Sequence, residues 1–221
     1  MTHHSHSSHS HSVEGPAPTE GAVIRWAPYY DLVTNLMTLG QARRLRIATV
    51  NHALIVPGDS VLDVGCGTGE VTLAAKTRAK QGNVYGIDPA PEMIAVARNK
   101  AARKKLEIDF RVGVIESLPF ADASMDVVTS SLMMHHLPED LKVRGLAEIY
   151  RVLKPGGRLL IADFMRPTGA ALNHLFIAFT RHQGLQKGIE DLQGLLKNAG
   201  FRQVTQAEEK VLVIGFLRAI K

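Results

Sequence analysis

Two histidines stand side by side in "SSLMMHHLPED", the stretch from Ser130 to Asp140. An imidazole near neutral pH can accept a proton, ligate a metal, contact a substrate or fill a loop, and adjacent side chains usually point in different directions. What His135 and His136 do therefore depends on what is built around them. A second stretch, "VLDVGCGTGE", brings Gly65, Gly67 and Gly69 together, with Asp63 two residues before the first of them. Glycines in such a loop let the backbone turn tightly and approach a ligand without Cβ obstruction.

A glycine loop alone does not name its ligand. Here the spacing is G-x-G-x-G, and Glu70 stands where a dinucleotide fingerprint would carry a third glycine. Carboxylates at Asp63 and Glu70 would repel a pyrophosphate and suit a ligand bearing an ammonium group. S-adenosylmethionine has that group, with an adenosine and no phosphate. Asp88 follows the loop by about 20 residues, the distance at which a carboxylate can accept hydrogen bonds from ribose hydroxyls. Met93, one helical turn further on, is placed to pack on an adenine face. Each has a plainer reading beside this one, since Asp88 can cap a helix starting near Pro91 and Met93 can be core.

The elements that must position these residues are legible as a change of period. Apolar positions at helical spacing, with Leu32, Leu36 and Leu39 in "YYDLVTNLMTLG", predict a first helix stopped at Gly40, and "QARRLRIATVNHALI" predicts a second. Five short β-branched runs follow, "SVLDVG", "NVYGID", "IDFRVG", "MDVVTSS" and "RLLIADF". Helical stretches separate them over residues 70–80, 91–105 and 139–153. Strands that alternate with helices and are apolar along most of their length predict a parallel sheet covered on both faces. "ALNHLFIAFTRH" predicts a further helix with Leu172, Leu175, Phe176 and Phe179 on one face, and "IEDLQGLLKNAG" another, stopped by Gly200. The last two strand-like runs, "FRQVTQAEEK" and "VLVIGFLRAIK", have no helix between them and predict a hairpin. The expected fold is α/β: a doubly wound, seven-stranded sheet, mostly parallel, with an antiparallel C-terminal edge and two N-terminal helices.

Bulk properties narrow the function classes. A 221-residue chain that is 45% hydrophobic suits one domain, expected over residues 23–221. The net charge of +5 comes from residues in helical stretches such as "KTRAK" and "RNKAARKK", without interleaved aromatics, so a solvated helix face explains it better than nucleic-acid binding. Cys66 is the single cysteine, which rules out an intrachain disulfide or a cysteine-rich zinc site. With no bilayer-length apolar run and no signal-peptide pattern, the expected location is cytoplasmic. The first twelve residues hold five of the ten histidines among serines, so residues 1–22 are expected to be a disordered tail and linker, either an expression tag or a natural metal-binding segment.

Taken in order and spacing, "VLDVGCGTGE", "YGIDPAPEMI", "ESLPFADASMDVV" and "IYRVLKPGGRLLIADFMRP" resemble the class I S-adenosylmethionine-dependent methyltransferases, a resemblance that runs from about Tyr29 to the C-terminus. Within that group the chain looks most like the ubiquinone/menaquinone biosynthesis C-methyltransferases, through "YYDLVTNLMTLGQARRLR" and "LKPGGRLLIADFMRP". The resemblance implies a Rossmann-like sheet and S-adenosyl-L-methionine as cofactor. It implies that Asp63, Gly65, Cys66, Gly67, Thr68 and Gly69 surround the methionine moiety, that Asp88 and Pro89 border the ribose, and that Met93, Val114, Ile115 and Glu116 border the adenine. Ser131 would lie near the cofactor after the fourth strand, and Tyr30 would help close the site. Two departures stand out. Val114 occupies the place where relatives commonly have an Asp or Asn for the adenine amino group, which leaves the backbone of Val114 and Ile115 for the adenine edge. His135 and His136 occupy the place of an Arg-Asn pair in the quinone methyltransferases, which puts a quinone acceptor in question.

Methyl transfer from a sulfonium is an in-line displacement, and an acidic acceptor such as a phenol or quinol carbon benefits from a base. His136, ahead of His135, is expected to be that base. No metal is expected, because adjacent residues seldom ligate one ion together. The acceptor is expected to be a small apolar or aromatic molecule, quinol-like acceptors included, with peripheral membrane contact through "LNHLFIAF" left open. A monomer or homodimer is expected, with no nucleic-acid partner. A phospholipid amine, a thiol or a natural-product hydroxyl are alternative acceptors. A non-catalytic S-adenosylmethionine-binding protein and a dinucleotide-dependent reductase are alternatives of other classes.

Overall fold

The predicted alternation of strands and helices is realised in a computed structural model, which describes residues 19, 21, 35–36, 38–166 and 188–221. In chain order the described elements are α1 (Ala42–His52), β1 (Val61–Val64), α2 (Glu70–Ala79), β2 (Val84–Asp88), α3 (Pro91–Arg103), β3 (Asp109–Val112) and β4 (Met125–Ser131). They continue with α4 (Glu139–Val152), β5 (Leu153–Phe164), α5 (Leu192–Asn198), β6 (Arg202–Gln206) and β7 (Ile214–Ile220), with 3-10 turns at Met134–His136 and Ile189–Asp191.

The strands form one seven-stranded sheet in the order β3-β2-β1-β4-β5-β7-β6. Strands β1 to β5 pair in parallel, and β7 pairs antiparallel with both β5 and β6. This is the expected doubly wound sheet with an antiparallel C-terminal edge. The chain builds outward from β1 to β3, then returns to lay β4 on the other side of β1. That reversal opens a crevice beyond the carboxyl ends of β1 and β4, where open α/β sheets bind ligands.

Alternation along the strands explains why both faces are covered. On one face Leu62, Val64, Val128, Leu159 and Ile161 pack with Leu146 and Ile149 of α4 and Leu196 of α5. On the other, Val61, Val127, Leu160 and Ala162 pack with Leu45 and Ala48 of α1 and Ala75 and Ala79 of α2. Leu141, Leu146, Ile149 and Val152 of α4 are fully buried, and each contributes about 1.5–3 kcal/mol through removal from water, which fixes the helix that follows the histidines. Among the described residues no helix is long and apolar enough to cross a membrane.

Some details differ from the sequence reading. β5 begins at Leu153 and runs through "KPGG": on the β7 side Gly156 N–H donates to the Lys221 carbonyl and Lys221 N–H donates to Gly157, and on the β4 side Leu153 pairs with Met125 before a register shift between Met125 and Val127. The predicted first helix lies mostly outside the described residues. Of its expected apolar face, Leu36 and Leu39 are exposed. The predicted tail lies outside the described residues apart from Thr19 and Gly21, and so does the predicted helix at Leu172–Phe179.

Candidate active site

The glycine loop takes its shape from the crevice. After β1, Gly65 adopts φ +71°, and the N–H groups of Gly65 and Cys66 both donate to the Ile87 carbonyl of β2 at 2.9 Å. A Cβ at Gly65 would lie 2.4 Å from Met133 Cγ, so the loop after β1 and the loop after β4 touch at a point that only glycine allows. Gly69 starts α2 at φ +81°, where a Cβ would come within 2.9 Å of both Ala97 and Phe110.

Two carboxylates brace this loop. Asp63, 1% exposed, accepts hydrogen bonds from the hydroxyls of Thr129 (2.8 Å) and Thr72 (2.6 Å), and burial pushes its pKa up to about 6 against those bonds. Asp88 accepts from Gly67 N–H and Ala90 N–H, both at 2.9 Å, and burial raises its pKa while these two donors pull it back. The helix-capping reading of Asp88 is thus partly realised, because Ala90 is the residue that leads into α3. The same carboxylate also ties the glycine loop to β2, and each oxygen retains a second lone pair for a ligand hydroxyl.

Around the loop lie two hollows that share Gly65, Gly67 and Leu132. The first gathers Asp88, Pro89, Met93, Val114, Ile115, Glu116 and His136, with Met133, Leu137, Thr19 and Gly21 completing its wall. The second gathers Asp63, Cys66, Thr68 and Ser131 with Arg46, Leu45 and Glu70. The structure therefore brings together every expected site residue except three. Gly69 lines neither hollow and instead starts α2, Tyr30 lies outside the described residues, and His135 turns away from the first hollow.

The expectation that Glu70 offers free negative charge to an ammonium group is corrected. Its carboxylate is clamped between Arg46 and Lys100, each at 2.7 Å, and Lys100 also donates to the Thr68 hydroxyl. Asp63 lines the same hollow, with its two oxygens held by Thr72 and Thr129. Arg46, which the sequence reading did not single out, supplies a cation in the same hollow. Nothing in the sequence relates Arg46 to Asp63, because α1 reaches the loop only through the packing of α1 on α2.

The two histidines have different surroundings. β4 ends at Ser131, Leu132 turns at φ +53°, and a 3-10 turn over Met134–His136 is anchored by Met134, which is 1% exposed. His135 Nδ1 donates to Asp163 Oδ1 at 2.6 Å, the other Asp163 oxygen accepts the His135 backbone N–H, and both side chains are buried. The ring of Phe164 meets His135 edge-on. His136 faces the first hollow, its ring centroid 3.9 Å from that of His135. Burial, reinforced by the adjacent His135, lowers the His136 pKa to about 4, which makes it a neutral imidazole at physiological pH. Among the described residues no three His, Cys, Asp or Glu side chains converge as a metal-binding group.

Similarity to known proteins agrees with this geometry. Residues 61–157 match a family model described as a methyltransferase domain. A demethylmenaquinone methyltransferase from Deinococcus radiodurans is 38% identical over 156 residues, covering 71% of this chain and 64% of that protein. A demethylmenaquinone methyltransferase from Lactobacillus johnsonii is 38% identical over 207 residues, covering 89% of this chain and 83% of its own length. The chain belongs to the class I S-adenosylmethionine-dependent methyltransferases. Within that family it is a relative of the ubiquinone/menaquinone C-methyltransferases. A solved S-adenosylmethionine-dependent methyltransferase from Aquifex aeolicus shares the fold, with a TM-score of 0.65 at 23% identity over 85% of this chain and 97% of that one.

The side chains present fit the cofactor of this family. Asp63 and Arg46 in the second hollow complement the two charges of an α-amino acid, and the first hollow offers carboxylate oxygens of Asp88 beside the apolar surfaces of Ile87, Met93 and Ile115. That donor set suits a ribose and a flat ring and carries no cluster of cations for a pyrophosphate.

Proposed function

We propose that this methyltransferase transfers the methyl group of S-adenosylmethionine to a small, apolar, ring-bearing acceptor, with a quinol as the leading class and His136 as the proton acceptor. The observation that carries the reading is the placement of the His136 imidazole in the same hollow as Asp88 and Met93, next to apolar walls from Leu132, Met133 and Leu137. S-adenosylmethionine supplies an electrophilic methyl carbon whose bond to sulfur breaks as the acceptor attacks it. The protein's share is to hold the partners in line, keep water out and take the acceptor's proton.

Asp63 and Arg46 would fix the amino-acid end, with Thr68 and Ser131 beside them, and Asp88 would accept the ribose hydroxyls. His135 does not face the acceptor. Its bond to Asp163 locks the turn on which His136 sits, so His136 can receive a proton without searching for a position. Tyr30 closing the site belongs to the same proposal, as do cytoplasmic residence, a monomer or homodimer, and peripheral membrane contact through Leu172–Phe179.

Quinols lead because the relatives named above are demethylmenaquinone methyltransferases. A phenolic or other natural-product hydroxyl is the second reading, favoured by the histidine pair that stands in place of Arg-Asn, since an O–H acceptor has the same need of a base. Both are tested by incubating the protein with S-adenosylmethionine and either reduced 1,4-naphthoquinone or simple phenols and following the products by mass spectrometry. A product heavier by one methyl group on ring carbon supports the quinol, and one on oxygen supports the hydroxyl. Cofactor that binds but keeps its methyl across all acceptors, amines and thiols included, would point to a binding protein without turnover.

A further inference from the structure

No aspartate or glutamate stands between Asp31 and Asp59, although Arg43, Arg44 and Arg46 fall in that stretch. Within it, Leu45 and Ala48 of α1 pack into the core. Arg43, Arg44, Ile47 and Asn51 are exposed at positions i, i+1, i+4 and i+8, which is a single outer sector of the helix. Exposed apolar side chains adjoin both ends of α1: Leu36 and Leu39 just before it are 74% and 75% exposed, and Leu54 and Val56 just after it are exposed as well. Arg78 of α2 donates to Asn51, and Gly58 N–H donates to the Ala79 carbonyl, which sets the exposed Lys80 beside the loop that carries Val56. Carboxylates close to this surface are held by other partners: Glu70 by Arg46 and Lys100, Glu209 by His52 and Asp59 by Arg158. Across the sheet the pattern differs, since the exposed Val143 of α4 is flanked by Asp140 and Arg144, an opposite-charge pair. A single exposed apolar residue is ordinary, whereas a group of them interleaved with cations marks a surface with a partner.

We infer that the outer face of α1, with the leucines that lead into it, docks on an anionic lipid bilayer. Arg43 and Arg44 meet the headgroups, and Leu36, Leu39 and Ile47 enter the boundary between headgroups and acyl chains. Cations alone would suit any polyanion, but exposed aliphatic side chains among them gain only where an apolar phase is there to enter. No Phe, Tyr or Trp stands from Asp31 to Val84 to stack a nucleic-acid base. The surface also adjoins the site, because Ala42, Leu45 and Arg46 of α1 line the second hollow with Asp63 and Ser131. Docking through α1 therefore holds that hollow beside the lipid, where an apolar acceptor is concentrated. This use of the surface rests on the apolar acceptor proposed above, while the docking itself does not.

The test is flotation of the full chain with extruded vesicles, made either of phosphatidylcholine alone or of phosphatidylcholine mixed with phosphatidylglycerol. The wild type is expected to bind the mixed vesicles at least about tenfold more tightly than the neutral ones, and to lose that preference at high salt. The double substitution Arg43→Gln and Arg44→Gln should weaken binding to mixed vesicles about 20–30-fold, roughly fivefold for each arginine. The triple substitution Leu36→Ser, Leu39→Ser and Ile47→Ser should weaken it by about tenfold or more, at low and high salt alike. Both variants should keep wild-type calorimetric affinity for S-adenosylhomocysteine, which shows that the fold and the cofactor hollows are intact. Binding to neither kind of vesicle, equal binding to both, or binding that survives both sets of substitutions and is lost only with Phe176→Ser and Phe179→Ser would overturn the assignment. So would retention of polyuridylate in preference to the mixed vesicles, which would make this a nucleic-acid surface. Failure here leaves the proposed reaction standing, because methyl transfer to reduced 1,4-naphthoquinone is read in solution without lipid.

Discussion

At the residue scale, two adjacent imidazoles have different surroundings. His135 is spent on Asp163 and His136 is left facing the hollow with its pKa lowered to about 4. Replacing His136 with Asn should slow methyl transfer by about 10²–10⁴-fold while leaving calorimetric affinity for S-adenosylhomocysteine nearly unchanged. In the wild type, the rate at saturating substrates should hold from pH 8 to about 5 and fall only as His136 protonates near pH 4. A limb near 6.5 would show an imidazole exposed to solvent. Asp163→Asn frees the turn rather than removing the base, and the loss expected from a misplacement of this kind is about 10²-fold, with cofactor affinity retained. The place of the pair after the fourth strand was legible in "SSLMMHHLPED", whereas the role of either imidazole was open there among proton transfer, metal ligation, substrate contact and loop filling. The choice of His136 rested there on no local signal, because the residue that decides it, Asp163, lies 28 positions away on β5. The same distance in sequence concealed the clamp of Arg46 and Lys100 on Glu70, which only the packing of α1 and α3 against the loop creates.

At the element scale, the glycine loop is shaped by the helices and strands packed around it. Gly69 stands at φ +81° with Ala97 and Phe110 against the place of its missing side chain, so Gly69→Ala must push α2 away from α3 and β3 or distort the start of the helix. The expected cost is about 1–3 kcal/mol, read as a lower urea midpoint at unchanged slope. Gly65→Ala meets Met133 instead, on the loop that carries the histidines. It should weaken S-adenosylhomocysteine binding more than it lowers stability, which parallel calorimetry and urea melts will separate. Strands and helices from β1 to β5 were legible from period alone, because each is short, apolar and bounded by turn residues. The start of β5 was not, since "KPGG" has the composition of a turn yet pairs with Lys221, just after β7. Leu36 and Leu39 of the expected first helix are exposed, while Leu32, the third residue of that face, lies outside the described residues.

For the whole molecule, the order β3-β2-β1-β4-β5-β7-β6 places Asp63, Asp88, Ser131 and Asp163 at the carboxyl ends of four different strands, so one crevice collects residues scattered over 101 positions of sequence. The groups gathered there also set how stability depends on pH. Between about pH 4 and 6.5 the unfolded chain holds a proton at His136 that the fold does not, so this residue weakens the fold as pH falls through that window. Asp63 acts in the other direction: between pH 3.8 and about 6 the fold holds a proton that the unfolded chain has lost, so its contribution declines as pH rises. His136→Asn should therefore melt higher relative to wild type at pH 4.5 than at pH 7, a difference that thermal melts at the two pH values will read. The central claim, methyl transfer to an acidic ring acceptor with His136 taking the proton, is tested most directly by single-turnover transfer of tritiated methyl from S-adenosylmethionine to reduced 1,4-naphthoquinone. Label should pass into the organic-extractable product with the wild type and be retained on the cofactor with His136→Asn, although both proteins bind it. Equal transfer by the two proteins across pH, or bound cofactor that never releases its label to this or any phenolic acceptor, would contradict the account.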